Sequence, residues 1–335
     1  MMIRGGSVLS EALLAATVAQ GFSPEVARAG LEAEIDAWRP EALAQLEREL
    51  PPGWRARAPR VVLVIAARTL PASALRQCLL ARALGATVRL KCAAGQEGLG
   101  LALHVLDPGI IPTPFASDDE QAVLDAIEDA DTVVVLGSDQ TVRAVRARTP
   151  PDKGFAPHGH KVSAAWFGSA GGASDADVRG LAEDLVAWDQ AGCLSPQLAW
   201  VAGDVPAFAR RLVAVMPEVE SRLPLADVSA HRIARRRVEP MVAMLGGQFL
   251  GTPTTLLATL PDPSFRPSPG PRILWLLPAD PAAVAAIAPT LSTLAVTGDA
   301  PPIDDVRVCA PGEMQRPPLA WRQDGLHPLA GLLRP

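Results

Sequence analysis

Apolar and polar positions change period along this chain, and each change marks an element. The first fifty residues read as helical. Ser23-Pro24-Glu25 places a capping residue before a proline at the first helical position, and Val26 to Trp38 repeats with amphipathic spacing until Pro51-Pro52-Gly53 breaks the pattern. Apolar runs of strand length then alternate with helical stretches. Strands are predicted over Arg60–Ala66, Ala86–Lys91, Asp131–Leu136 and Lys161–Phe167, and helices over Ala72–Leu84, Asp118–Asp129 and Gln140–Ala147. This alternation predicts a mostly parallel sheet with covered faces. Farther on, Ser174-Asp175-Ala176-Asp177 has the form of a capping box for a helix leading to Gln190. Helices follow over Val205–Arg222 and Asp227–Met244, with Gly246-Gly247 as a helix stop, then strands over Arg272–Leu277 and Asp305–Cys309. The tail from Pro311 reads as a proline-rich loop.

At 335 residues the chain is long enough for two domains or one large α/β unit. A net charge of −5 gives no global case for nucleic acid. The apolar stretch Ile273 to Val296 is interrupted by Pro278, Asp280, Pro281 and Pro289, so it predicts strand, turn, helix and strand rather than a membrane span. Glu11 interrupts the apolar run that follows Arg4, which argues against a signal peptide. Cys78, Cys92, Cys193 and Cys309 are dispersed with no CxxC pair, which suits reduced thiols in a cytoplasmic setting better than a disulfide framework or a zinc site.

The segment Leu185 to Gln197 carries the candidate chemistry. A helical stretch ends in a Gln190-Ala191-Gly192 turn, and Cys193 follows it. A thiol on such a turn is accessible, and a thiolate is a strong nucleophile toward thioesters and aldehydes. Gly137-Ser138 opens a loop from a buried strand into a helix, where glycine permits close backbone approach and a helix start favours phosphate. No GxGxxG fingerprint accompanies it. His158 and His160 would share one face of a strand and could ligate a metal, but no cysteine or carboxylate set converges with them. They read as loop residues, and no metal site is expected. Arg232, Arg235, Arg236 and Arg237 form the densest basic patch. It reads as a solvated helix face rather than a dock for CoA phosphates or an acidic carrier. Cys78 and Cys92 read as packing residues.

Taken in order, several segments resemble the aldehyde dehydrogenase superfamily, in particular its acyl-CoA reductase (LuxC-like) branch. They are Leu75 to Lys91, Val133 to Asp139, His158 to Ser163, Asp189 to Gln197 and Pro317 to Gly325. The resemblance spans roughly residues 55 to 330. It implies an α/β fold with a parallel-sheet cofactor domain and a shortened second α/β catalytic domain. The expected divisions are residues 1–188 for N-terminal helices and nicotinamide binding, 189–310 for the catalytic domain, and 311–335 for a tail. It further implies NADPH or NADH as cofactor and an acyl-CoA or acyl-carrier substrate. By this likeness Cys193, in the interdomain crevice, is the acylated nucleophile. Lys91 contacts the adenosine ribose or its 2′-phosphate, and Gly137 and Ser138 lie near the cofactor. Superfamily members often associate, so a homo-oligomer is implied as well.

Two departures from the pattern matter. The superfamily commonly uses an asparagine side chain as an oxyanion donor, and this sequence contains no Asn; the matching place is near Arg68-Thr69-Leu70-Pro71. The donors expected here are the Cys193 backbone N–H and Thr69. No match is found for the general-base glutamate of hydrolytic aldehyde dehydrogenases, which a thioester reductase needs less because no water attacks its acyl-enzyme. Acyl phosphates or free aldehydes stand as alternative substrates. The alternative to an enzyme is a catalytically inactive relative acting as a binding or scaffolding subunit.

Overall fold

The computed structural model describes residues 10–169 and 171–335, so the part of the N-terminal reading that falls on residues 1–9 lies outside it. The chain divides into two compact units. One comprises the segment ending at Gln20, Leu31–His160 and Pro317–Pro335; the other comprises Gly21–Gly30 and Lys161–Arg316.

Before the first sheet come α1 (Glu11–Val18), α2 (Pro24–Asp36), α3 (Pro40–Arg48) and α4 (Trp54–Arg57). The Ser23 hydroxyl accepts the Val26 N–H at 3.2 Å, as the Ser-Pro-Glu pattern predicts. The first sheet holds β1 (Val61–Ile65), β2 (Thr87–Lys91), β3 (Ile110–Pro112), β4 (Thr132–Leu136) and β5 (Gly154–His158), linked by α5 (Pro71–Ala83), α6 (Glu97–Leu106), α7 (Glu120–Glu128) and α8 (Asp139–Arg148). All pairs are parallel in the order β3-β2-β1-β4-β5. β4 is buried along its whole length, which explains its unbroken apolar run. β5 carries Pro157 and still pairs, because it is an edge strand with one side free of the ladder.

The second unit holds β6 (Val162–Phe167), α9 (Asp175–Val186), β7 (Pro196–Val201), α10 (Val205–Arg222), α11 (Ser229–Met244), β8 (Gln248–Gly251), β9 (Leu256–Thr259), β10 (Ile273–Pro278), α12 (Pro281–Ile287), β11 (Leu291–Thr297) and β12 (Arg307–Cys309). Its seven strands run β12-β11-β6-β7-β10-β9-β8, parallel except for β8 against β9. Side chains alternate between two cores. Phe167, Val201 and Leu274 face α9 and α10, whereas Trp166, Trp200 and Trp275 face the other side with α11. Each of these indole N–H groups donates to a carbonyl: Asp299 at 2.8 Å, Pro263 at 2.8 Å and Pro267 at 3.1 Å. The capping box at Ser174 and Asp177 is present.

Several expectations change. The units part after His160, not at 188/189, because β6 pairs with β7 and β11 in the second sheet. Residues 317–335 pack within the first unit, where Arg76 donates to the Pro317 and Pro318 carbonyls and Thr132 to Leu332. His158 ends β5 rather than lying in a loop, with Nδ1 2.8 Å from Asp324 Oδ2. Among the described residues no helix is long and apolar enough to cross a membrane.

Candidate functional site

In the first sheet all carboxyl strand ends lie on one edge, and the order reverses between β1 and β4, the place where parallel α/β sheets bind ligands. Register aligns Ile65 with Lys91 on one side and Val135 on the other. Thr69 is exposed in the loop after β1, Lys91 closes β2, and Gly137-Ser138 follow β4. The sheet thus gathers four of the expected residues at one edge.

Lys91 is buried, and its Nζ donates to Ser117 Oγ at 2.7 Å. No carboxylate lies within ion-pair distance among the described residues. Burial holds its pKa below the ordinary lysine value. A buried ammonium with one neutral partner favours an arriving anion. It borders a cavity of about 390 Å³ whose lining includes Ser117, Asp118, Glu120, Thr141 and Arg148. A second, more apolar cavity of about 470 Å³ also borders Lys91, with Leu90, Leu101, Pro112 and Phe115. These residues fit a phosphate-bearing nucleotide: one buried cation for the phosphate, acids for sugar hydroxyls, an apolar recess for a base. Ser138 has a different local task. Its hydroxyl accepts the Thr141 N–H at 3.1 Å and caps α8. Asp139 accepts the His160 N–H at 2.8 Å, so this helix start already holds a carboxylate.

Cys193 is half-buried in the second unit, just before β7. The turn that delivers it is not the simple helix stop expected. Trp188, Asp189 and Gln190 have φ of 52°, 50° and 64°, three consecutive non-glycine residues in the left-handed region. Each costs about 1–2 kcal/mol, so the run stores roughly 3–6 kcal/mol. Side chains hold it in place. Arg272, fully buried, donates to Asp189 Oδ1 from Nε at 3.0 Å and Nη2 at 2.6 Å. Burial pushes the Asp189 carboxyl up while Arg272 pulls it down. The Gln190 amide donates to the Pro196 and Ile273 carbonyls at 2.7 and 2.9 Å and accepts the Ile273 N–H at 2.9 Å. Trp188 packs edge-on against Phe22 and fills the space where a Gly30 side chain would sit. Breaking a buried ion pair costs about 3–5 kcal/mol, which matches the strain it opposes.

Beyond the turn, the Ser195 N–H donates to Gly192 O at 3.1 Å. In a trans peptide the C=O and the next N–H point oppositely, so the Cys193 N–H faces away from that bond. The Ser163 hydroxyl donates to Cys193 O at 2.6 Å. Of the other thiols, Cys78 is fully buried and Cys92 and Cys309 are half-buried; burial pushes all three up, Cys309 to about 11. In the basic patch, Arg235 pairs with Glu239 at 2.6 Å, while Arg232, Arg236 and Arg237 are exposed. Sequence reasoning missed Ser117, Thr141, Arg148 and Arg272. Nothing in their local sequence marks them, and only tertiary structure brings Ser117 to Lys91 and Arg272 to Asp189.

A family model described as acyl-CoA reductase (LuxC) matches residues 104–250, a region containing Gly137, Ser138 and Cys193. No curated protein matches. Solved structures with the same fold include an NADP-dependent enzyme of E. coli, 17% identical over 87% of this chain and 70% of that one, with a TM-score of 0.65. An aldehyde dehydrogenase from Brucella melitensis biovar abortus 2308 is 18% identical, with 87% and 69% coverage and a TM-score of 0.63. An NADP-dependent glyceraldehyde-3-phosphate dehydrogenase from Bacillus halodurans C-125, complexed with NADP, is 12% identical, with 90% and 75% coverage and a TM-score of 0.63. The fold is that of the aldehyde dehydrogenases, and the chain resembles the LuxC acyl-CoA reductases.

Proposed function

We propose, for a chain that resembles the LuxC acyl-CoA reductases on an aldehyde dehydrogenase fold, that it reduces an acyl thioester to an aldehyde through acylated Cys193, with NADPH as reductant. The observation that carries the reading is the strained, clamped turn before Cys193. Strain of this size persists in a turn where the surroundings over-determine it, and such turns cluster at reacting groups. The LuxC match over the same residues supports the reading.

In this mechanism the Cys193 thiolate attacks the thioester carbonyl, the carbon–sulfur bond to the carrier breaks, and the carrier leaves as a thiolate. The Cys193 N–H donates to the oxyanion, with the Thr69 hydroxyl as the candidate second donor. A nicotinamide held on the first sheet would supply the hydride for reduction of the acyl group on Cys193. The resulting thiohemiacetal on Cys193 collapses, releasing aldehyde and regenerating the thiolate. Lys91 and Ser117 would hold a phosphate of the nucleotide, and Asp118 or Glu120 would accept from its sugar hydroxyls.

The test is NADPH oxidation with an acyl-CoA panel, comparing the natural protein with Cys193→Ser. The expected loss is roughly 1,000-fold or more, with NADPH affinity unchanged. Full activity in Cys193→Ser rejects the covalent mechanism. No turnover with acyl-CoA, acyl-carrier, acyl-phosphate or aldehyde substrates favours the scaffolding alternative.

A further inference from the structure

We propose that Arg272 is a positioning residue for Cys193, acting through Asp189 and the left-handed turn. The proposal rests on the acyl-transfer reading above. β7 lies between β6 and β10, and the segment feeding it is fastened to both neighbours. Toward β10, Arg272 grips Asp189 and also donates from Nη2 to Leu223 O at 2.7 Å, while Ile273 exchanges two hydrogen bonds with Gln190. Toward β6, Ser163 donates to Cys193 O and accepts the Thr293 N–H of β11 at 3.1 Å. Downstream, Gln315 Nε2 donates to Ser195 Oγ at 3.0 Å.

Arg272 has no exposed surface, so only Asp189 and nearby carbonyls meet its charge. Its own φ is 55°, so both partners of the pair sit on left-handed backbone. Joining a strand to a turn requires strain on neither side. Strain on both is explained when the pair also fixes the direction in which the chain leaves the turn. Relaxation of residues 188–190 would swing Cys193, because only Ala191 and Gly192 lie between the clamp and the thiol-bearing residue. Arg272 therefore governs where the thiol points without touching substrate.

The test uses the full chain and three variants: Arg272→Lys, Asp189→Leu/Arg272→Met, and Ser163→Ala. Lysine keeps the charge but loses the fork. The double variant leaves no buried charge unpaired. Four quantities are read: acylation by acyl-CoA by intact mass, the pH profile of Cys193 alkylation by iodoacetamide, NADPH affinity and the urea midpoint. Arg272→Lys is expected to acylate about 100-fold more slowly, the usual cost of a misplacement near 1 Å, with NADPH affinity unchanged. The double variant is expected to recover the urea midpoint, yet stay about 100-fold slow with a displaced alkylation profile. Ser163→Ala is expected to acylate about tenfold more slowly at a near-natural midpoint, since it frees one carbonyl while leaving the clamp. Recovery of acylation together with stability in the double variant overturns the proposal, as does natural-rate acylation in Arg272→Lys. If the natural protein takes no acyl group, the acyl-transfer reading has failed instead. The alkylation profile then decides on its own: displaced in the double variant it upholds the positioning role, and unmoved it rejects it.

Discussion

In the five-stranded sheet the candidate binding residues follow the carboxyl ends of parallel strands, whereas in the seven-stranded sheet Cys193 precedes the amino end of β7. The means differ as well. Lys91, Thr69 and Ser138 sit at strand ends, in an open loop and at a helix cap, with no positive φ among them. Cys193 is delivered by three left-handed residues held by a buried ion pair and a glutamine. A charged group on an ordinary strand end suffices to attract a phosphate, because attraction tolerates displacement. The covalent bond proposed for Cys193 would not tolerate it, which would account for the over-determined backbone ahead of the sulfur.

Outside Cys193 itself, an effect as large as that at Arg272 is expected at Thr69. Thr69→Val should slow acylation about 100-fold if its hydroxyl is the second oxyanion donor; single-turnover acylation checks it, and a change within about twofold removes Thr69 from the mechanism.

Next is Lys91. Lys91→Met should weaken NADPH binding about ten- to 100-fold, the worth of a charge-assisted hydrogen bond. Burial lowers the Lys91 pKa and the phosphate prefers its ammonium form, so affinity should be full at low pH and fall as pH rises through that lowered value. The fall should begin at lower pH than for an exposed lysine. NADPH titrations by fluorescence across pH test this, and in Lys91→Met the dependence should flatten. An unchanged profile would show that Lys91 does not hold the phosphate.

Two glycines sharpen the contrast in backbone demand. A Cβ on Gly30 would overlap the Trp188 ring, so Gly30→Ala should destabilise by about 1–3 kcal/mol through overpacking. Nothing approaches a Cβ on Gly98 in α6, so Gly98→Ala should be stabilising by about 0.4–1 kcal/mol. Urea midpoints of both variants decide, and equal midpoints would contradict the packing account of the turn. A modest effect is also expected at the α8 cap. Ser138→Ala should cost about 1 kcal/mol of stability and weaken NADPH binding less than Lys91→Met does.

The same contrast governs what was legible in the sequence. β1, β4 and β6 announced themselves as apolar runs because parallel strands are buried on both faces, while β2 alternates polar and apolar residues. Gly85, at φ 85°, stops the helix before β2 as its position implied. α6 was missed because Gly98 and Gly100 weaken its propensity while Leu101 and Val105 face solvent, blurring its amphipathic pattern. β7 was hidden by Ser195-Pro196, which reads as a turn, although proline at the first residue of a strand is tolerated. Cys193 was singled out from its short local context, and Lys91 through the family resemblance. Arg272 could not be found in either way, because an arginine ahead of an apolar run looks like the edge of a strand, and its partner Asp189 is 83 residues away. Ser117 was equally silent: only the fold brings it to Lys91.

The most direct test is intact-mass measurement of the protein mixed with a panel of acyl-CoAs, with and without NADPH. The account predicts a single acyl adduct on Cys193, absent in Cys193→Ser and discharged when NADPH is added. An adduct that forms equally in Cys193→Ser, or none with any donor while NADPH still binds, would contradict it.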